Sequence, residues 1–554
     1  FIRRRLVSFP LLALEKLVKS DVSDSQIIIT CKDARHAVVD FMADAELKEG
    51  EMWSQGISGA TVAEAVVRHL EGVMVPRRPV NAFAFPWFAF APAPLRETLS
   101  AGWHTFSLRQ ELQRLGVGGE NGGDAAWRFT TLNENFALAK TYPEVLVVPA
   151  EVSDELVTSA ATFRSKARLP VLCWKRPGSS VALCRSSQPL SGPLKRRSSA
   201  DELFCAALVR TSVAVQSLVI VDPRPIRNAM ANEAVGAGYE DLEHYEHTEI
   251  QFMDIENIHE IRKSYERVRV ACARQSEGSD DDWLMQLHHS KWLHYISKLL
   301  RATAIIAETL DGGRTVLCHC SDGWDRTSQC TSLAQLCLDP YYRTLRGFVA
   351  LIEKEWLHFG HKFSDRCAFA TVGDLSGISS DYSPIFVQFL DCVWQLLQQA
   401  PTAFEFDERF LLELVDHCFS GRFGTFLGNN QAERLSLDLA TLTASVWPVV
   451  SRPELKNPLY QPSDQPIYPV FHLRGLRLWD GLFLRHNSLV VRECLLQFHD
   501  VTTAPVEILI APAPGGMLPI TEDTAVEELT PSDDIPTIPS DLPTIPPDAQ
   551  VLRA

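Results

Sequence analysis

Residues 316–329 read "VLCHCSDGWDRTSQ". An apolar run ends on Cys320, and Arg326 follows six positions later, with Ser321, Asp322, Gly323, Trp324 and Asp325 between them. The run over 315–318 predicts a strand, and residues 325–338, "DRTSQCTSLAQLCL", predict a helix that stops before Pro340. Residues 319–324 then form a tight loop between strand and helix. A loop so placed turns successive backbone N–H groups inward, and the following helix adds its positive end. Such a cradle holds an anion, and a cysteine at its base has its thiolate favoured over its thiol. Arg326 can swing back to grip two phosphate oxygens in a bidentate fork. The arrangement suits attack of the cysteine on phosphorus, with amides and guanidinium holding the developing charge and a carboxylate protonating the leaving oxygen. Asp325, adjacent to Arg326, is the favoured acid and Asp322 its competitor. A hydroxyl of Thr327 or Ser328 can hydrogen-bond the departing thiolate, and His319 can order the loop backbone.

Working outward, strand-like runs at 145–149, 169–174 and 218–221 alternate with helical ones at 292–310, 387–399 and 410–418. That interleaving predicts an α/β domain, a central sheet flanked by helices, over about 76–495. Residues 1–45 read as β-rich, with "QIIITCKDARHAVVDF" giving two strands around a turn at Lys32, Asp33 and Ala34. Residues 61–72 have helical spacing up to Gly72, and "VPRRP" marks a linker. The uncharged stretch 79–95, "PVNAFAFPWFAFAPAPL", is shorter than the roughly 20 residues of a membrane span and carries four prolines. It is read as a buried, extended, aromatic-rich segment, so any contact with lipid is expected to be peripheral.

At 554 residues the chain exceeds one compact core, and two or three domains are expected. Its 53 basic and 69 acidic residues give −16, which argues against attraction to nucleic acid or anionic membrane by bulk charge. An anionic partner therefore needs a local basic pocket. The 13 cysteines are scattered with no CxxC pair, which fits reduced thiols in the cytosol. The chain opens "FIRRRL" with neither an initiating Met nor a signal peptide, and is read as a fragment or as lacking its start. Residues 496–554 are read as a carboxy-terminal extension. From Pro519 onward eight carboxylates face Arg553 alone, so this Pro-rich tail is expected to be disordered.

"HCSDGWDRTSQ" (319–329) resembles the active-site loop of the myotubularin family of phosphoinositide 3-phosphatases residue for residue. "FRSKARLPVLCW" (163–174), "DPRPIRNAMANEAVGAGYE" (222–240), "DIENIHEIRKS" (254–264) and "YYRTLRGFVALIEKEWLHFGHKF" (341–363) are similar to further family blocks. The β-rich start, about 1–75, resembles the second half of a lipid-binding PH-GRAM domain. The resemblance implies an α/β catalytic domain of cysteine-dependent phosphatase type, with Cys320 as nucleophile, Arg326 as phosphate-binding arginine and Asp325 as general acid. It implies that Asn232, Asn257 and Ile258 line the headgroup pocket with the loop residues Ser321 to Arg326. Lys362 and Arg366 match two basic positions that hold further phosphates. Some members carry Arg at the first, and Lys362 keeps the charge but not the fork. Glu233 stands where some relatives place a lysine. Many family members have lost the cysteine and arginine, whereas Cys320, Asp325 and Arg326 all stand here.

The implied reaction removes the 3-phosphate from phosphatidylinositol 3-phosphate and phosphatidylinositol 3,5-bisphosphate through a cysteinyl-phosphate intermediate. No metal or cofactor is implied. The implied setting is cytoplasmic, peripheral on endosomal membranes, with phosphoinositide lipids as partners and pairing with other myotubularins. Two rival readings are a protein tyrosine or dual-specificity phosphatase and a non-catalytic phosphoinositide-binding adapter. Cys318, His319 and Cys320 could be metal ligands, but no second pair sits at zinc spacing. Cys318 and Cys330 read as core thiols, and "LKRRSS" (194–199) as a solvated loop. His288, His289 and His361 read as surface or structural histidines, and the aromatics at 83–90 as core.

Overall fold

The computed structural model describes residues 10–21, 23–40, 59–73, 82–118, 125–176, 178–213, 215–273, 280–369 and 381–485. β1 (Leu14–Lys19), β2 (Gln26–Cys31) and β3 (His36–Asp40) form an antiparallel meander. Side chains of a strand alternate between faces, so β2 buries Ile27, Ile29 and Cys31 on one side. The helix Gly59–Val73 covers them with Ala63, Val66, Val67 and Leu70, making a small separate core. The expected turn is present, with Ala34 at φ +68°, but it is not a solvent-facing tip. Lys32 is fully buried and its ammonium donates to the carbonyls of Leu12 (2.8 Å) and Cys367 (2.9 Å). Burial lowers that ammonium to about 8. Tyr265 donates to the Lys32 carbonyl, and Arg269 pairs with Glu15. The meander is therefore bolted to the body by buried polar contacts.

β4 (Trp127–Thr130) and β5 (Leu146–Pro149) pair antiparallel. The main sheet comprises β6 (Val171–Lys175), β7 (Ala182–Ser187), β8 (Leu218–Asp222), β9 (Thr248–Phe252) and β10 (Thr315–Cys320), in the order β6-β7-β10-β8-β9. β6 runs antiparallel to β7, and the other four are mutually parallel. Helices Ser199–Thr211, Ile226–Ala234 and Trp292–Asp311 lie in the connections between the parallel strands. Such crossovers bring the carboxyl ends of β7, β8, β9 and β10 to one edge, where ligands bind in open α/β sheets. All six residues of β10 are buried, because it is paired on both sides. The strand also runs two residues further than its apolar pattern predicts. Cys320 pairs with Ser187 at the end of β7, so the ladder carries His319 and Cys320 into the sheet.

The helix Arg326–Leu338 follows, packed against Trp292–Asp311 and Ile385–Gln399. The helix Leu345–Ile352 continues into a π-helical turn, Glu353–His358, that delivers residues 359–366 to the same sheet edge. The helices expected at 292–310, 387–399 and 410–418 are Trp292–Asp311, Ile385–Gln399 and Glu408–Ser420. The aromatic segment departs from expectation. It forms two helices, Ala84–Phe90 and Ala93–Ala101, with Phe83 and Phe90 53% and 88% exposed. Its prolines permit this, since Pro86 falls in a first turn and Pro92 and Pro94 open the second helix, where no N–H is missed. Among the described residues no helix is long and apolar enough to cross a membrane. The expected linker at 75–79 and the extension at 496–554 lie outside the described residues.

Candidate active site

The loop after β10 separates its own donors from its acceptors. Among the described residues, none of the backbone N–H groups of Ser321, Asp322, Gly323, Trp324, Asp325 and Arg326 has an acceptor in the protein. Several of the carbonyls, in contrast, are tied down. That of Ser321 accepts from the Gln188 N–H at 3.1 Å. That of Gly323 accepts from the guanidinium groups of Arg168 (2.9 Å) and Arg185 (2.6 Å). That of Trp324 is met by His361 Nδ1 at 2.8 Å and by the Ser328 hydroxyl at 3.2 Å. A trans peptide points its N–H opposite to its C=O. Where the Ser321, Gly323 and Trp324 carbonyls are drawn into the body, the amides of Asp322, Trp324 and Asp325 that share those peptides are turned the other way.

Gly323 has φ +76°, and a Cβ there would lie 2.3 Å from the carbonyl oxygen of Ser186. Gly323→Ala is expected to lower the folding free energy by about 1–3 kcal/mol and activity by about tenfold or more, since both backbone and space are wrong. Thermal unfolding and initial rates check this, and a variant with native rates would show that the loop does not need its present path.

Buried charge supports the loop from below. His319 Nε2 meets Glu240 at 2.9 Å, and Glu240 also accepts from Arg164 at 2.6 Å. Burial alone would raise the Glu240 carboxyl, but His319 and Arg164 hold it well below the carboxylate range. Arg185 pairs with Glu355 at 2.7 Å, both fully buried. Arg224 pairs with Asp222 at 2.5 Å and donates to Gln188 Oε1. Arg168 lacks a carboxylate partner at hydrogen-bond distance among the described residues, and burial lowers it to about 10. Arg168 and Arg224 lie close enough to Cys320 for their charges to act on the thiol.

Arg326 opens the helix and spends one N–H on the Ile255 carbonyl at 3.2 Å, with no ion pair among the described residues. Asp325, the residue before the helix, is instead gripped. Arg366 donates to both of its oxygens, at 3.0 and 2.8 Å, and His361 Nδ1 lies 3.2 Å away. Burial would raise the Asp325 carboxyl, but Arg366 and His361 outweigh it and hold it well below the usual range. Asp322 accepts from the Ser165 hydroxyl at 2.9 Å. Lys362 sits 4.9 Å from the Trp324 ring centre and pairs with Asp365 at 3.1 Å. Cys320 is 3% exposed.

The two hydroxyls after Arg326 differ. Ser328 is engaged with the carbonyls of Trp324 and Glu355, whereas the buried Thr327 hydroxyl has no partner among the described residues. Asn232 donates to Gln188 Oε1 and to Ser321 Oγ, both at 3.1 Å. Asn257 caps the helix Ile258–Ala273, accepting from the N–H groups of His259 and Glu260, and the Ile258 carbonyl accepts from Ser383.

Sequence reading did not single out Arg168, Arg185, Arg224 or Glu240. The available signal was a guanidinium inside an apolar strand, as in "ALCRSS", because a charge buried there must be paired or hydrogen-bonded. His361 is structural as expected, but its place is against the loop itself. His288 and His289 are exposed on Asp280–Ser290. Cys318 and Cys330 are fully buried, and burial pushes the Cys318 thiol far up. In "LKRRSS", residues 194–197 are exposed.

A parallel strand, a five-residue amide cradle and a helix, with cysteine at one end and arginine at the other, define a cysteine-dependent phosphatase type of site. The chain belongs to the myotubularin family: residues 87–435 match the Myotubularin-like phosphatase domain. It is 41% identical to "Myotubularin" of Rattus norvegicus over 469 residues, 84% of this chain and 73% of the relative. It is 43% identical to "Phosphatidylinositol-3,5-bisphosphate 3-phosphatase MTMR2" of Mus musculus over 390 residues, 70% of this chain and 59% of that one. With the human protein of the same title ending in MTMR8 it shares 40% over 474 residues, 83% of this chain and 62% of the relative.

Proposed function

We propose that the protein is a phosphoinositide 3-phosphatase acting on phosphatidylinositol 3-phosphate and phosphatidylinositol 3,5-bisphosphate. The observation that carries the reading is that, among the described residues, six successive amides following Cys320 have no acceptor and Arg326 has no ion pair. The Cys320 thiolate attacks phosphorus, and the bond from phosphorus to the inositol oxygen breaks. That oxygen takes a proton from Asp325, while the amides and Arg326 hold the non-bridging oxygens. Water then attacks the cysteinyl phosphate, Asp325 accepts its proton, and the thiolate leaves toward Thr327. In this reading Asn232, Asn257 and Ile258 receive the inositol ring, and Lys362 and Arg366 a further phosphate. The printed names of the MTMR2 and MTMR8 relatives support the same substrate class.

In this reading residues 1–75 are part of a PH-GRAM-type lipid-binding domain, 76–495 the phosphatase domain and 496–554 an extension. The protein works peripherally on endosomal membranes and pairs with other myotubularins. The test is phosphate release from a panel of soluble short-chain phosphoinositide isomers and a phosphotyrosine peptide, with reductant present. Release from the 3-phosphorylated isomers alone is expected. Release mainly from the peptide would sink the lipid reading in favour of a protein phosphatase.

A further inference from the structure

The helix Ile226–Ala234 has two unlike sides. One meets the candidate site, with Asn232 bonded to Gln188 and Ser321 and Ala229 buried. The other exposes Ile226, Arg227, Met230, Ala231 and Ala234, and Val235 follows. Ile226 and Met230 are four apart and lie on one stripe. They are 53% and 55% exposed, and Val235 is 81% exposed. The charged residue among them, Arg227, is paired with Glu256.

A second element adjoins this one. The Gly192 N–H donates to the Ala237 carbonyl at 2.8 Å, and Ser191 donates to the same oxygen at 3.3 Å. These bonds seat the loop 191–196 on the turn that ends the helix. Leu194 stands on that loop 86% exposed. Lys195 and Arg196 follow, both exposed and neither in an ion pair among the described residues. The neighbouring Arg197 is taken by Glu202 at 2.9 Å. Exposed apolar side chains with Lys195 and Arg196 at one edge, neither in an ion pair among the described residues, match the layered chemistry of an anionic bilayer, whose acyl boundary takes the first and whose headgroups take the second. The patch is also continuous with the mouth of the cradle through Asn232.

We propose that Leu194, Val235 and the outer stripe of Ile226 and Met230 insert at the headgroup–acyl boundary of an anionic membrane, with Lys195 and Arg196 against its phosphates. The cradle is thereby turned toward headgroups of that membrane. This rests on the phosphoinositide reading above, yet binding to vesicles without substrate tests it separately.

The experiment uses phosphatidylcholine vesicles with and without phosphatidylserine, co-sedimentation, and rates on vesicle-borne and soluble short-chain phosphatidylinositol 3-phosphate. The variants are Leu194→Glu with Val235→Glu, Met230→Glu, and Lys195→Ala with Arg196→Ala. The acidic variants are expected to lose about tenfold in vesicle binding and in the vesicle-borne rate, with the soluble rate unchanged. The alanine pair is expected to lose the preference for phosphatidylserine. Vesicle binding like that of the unmodified protein would overturn the proposal and leave the face to a protein partner. So would an equal loss on soluble substrate. If binding to phosphatidylserine vesicles falls as expected but no soluble isomer is hydrolysed, the surface stands and the activity reading fails.

Discussion

Cys320→Ser is expected to lower turnover of the 3-phosphorylated lipid by roughly 10⁴-fold or more, the scale on which loss of a nucleophile is felt. A serine fills the same place, so the cradle of amides and Arg326 remains. Its hydroxyl, however, is intrinsically far less acidic than a thiol and a far poorer nucleophile in the same setting. The variant should therefore hold the soluble 3-phosphate as tightly as the unmodified protein and fail to cleave it. Equilibrium binding and single-turnover phosphate release together separate the readings. If reduced unmodified protein and variant prove equally inert while both bind, the protein is an adapter and the cysteine is a relic of its family.

The second large effect concerns Asp325→Asn. For an inositol leaving group the loss in kcat is expected to be about 10²–10⁴-fold, the usual contribution of a positioned general acid. For an aryl phosphate, whose phenolate departs without a proton, the loss should be far smaller. Equal losses on both would assign Asp325 to loop structure and return attention to Asp322.

The geometry adds a condition to this role. Arg366 and His361 keep the Asp325 carboxylate ionised in the free protein. A proton can be taken up only when that grip loosens. If Arg366 holds a second phosphate as proposed, a bisphosphorylated substrate competes for that guanidinium and thereby frees the acid. The bisphosphate should for this reason show a larger drop on Asp325→Asn than the monophosphate.

Part of this was legible in the chain. The strand before Cys320 and the helix after Arg326 follow from an apolar run, a following proline and helical periodicity, all local properties. The same holds for the β2–β3 hairpin and the long helices, whose ends differ from expectation by only a few residues. The aromatic segment at 79–95 was misread because proline density alone does not distinguish an extended run from two helices that each place proline in a first turn. The true end of β10 was also hidden, since it depends on how far β7 runs beside it.

Sequence alone determined the reacting groups and their spacing: the thiol, the arginine six positions on, the carboxylates between them and the family block around them. Tertiary structure decided which way the loop faces and which groups are free. Arg168 and Arg185, from segments more than a hundred residues away, pull the Gly323 carbonyl inward and so turn the Trp324 amide the other way. Arg366 takes Asp325, and among the described residues Arg326 has no ion pair. Such choices rest on hydrogen bonds between groups that only the folded chain brings within 3 Å, and no local pattern encodes them.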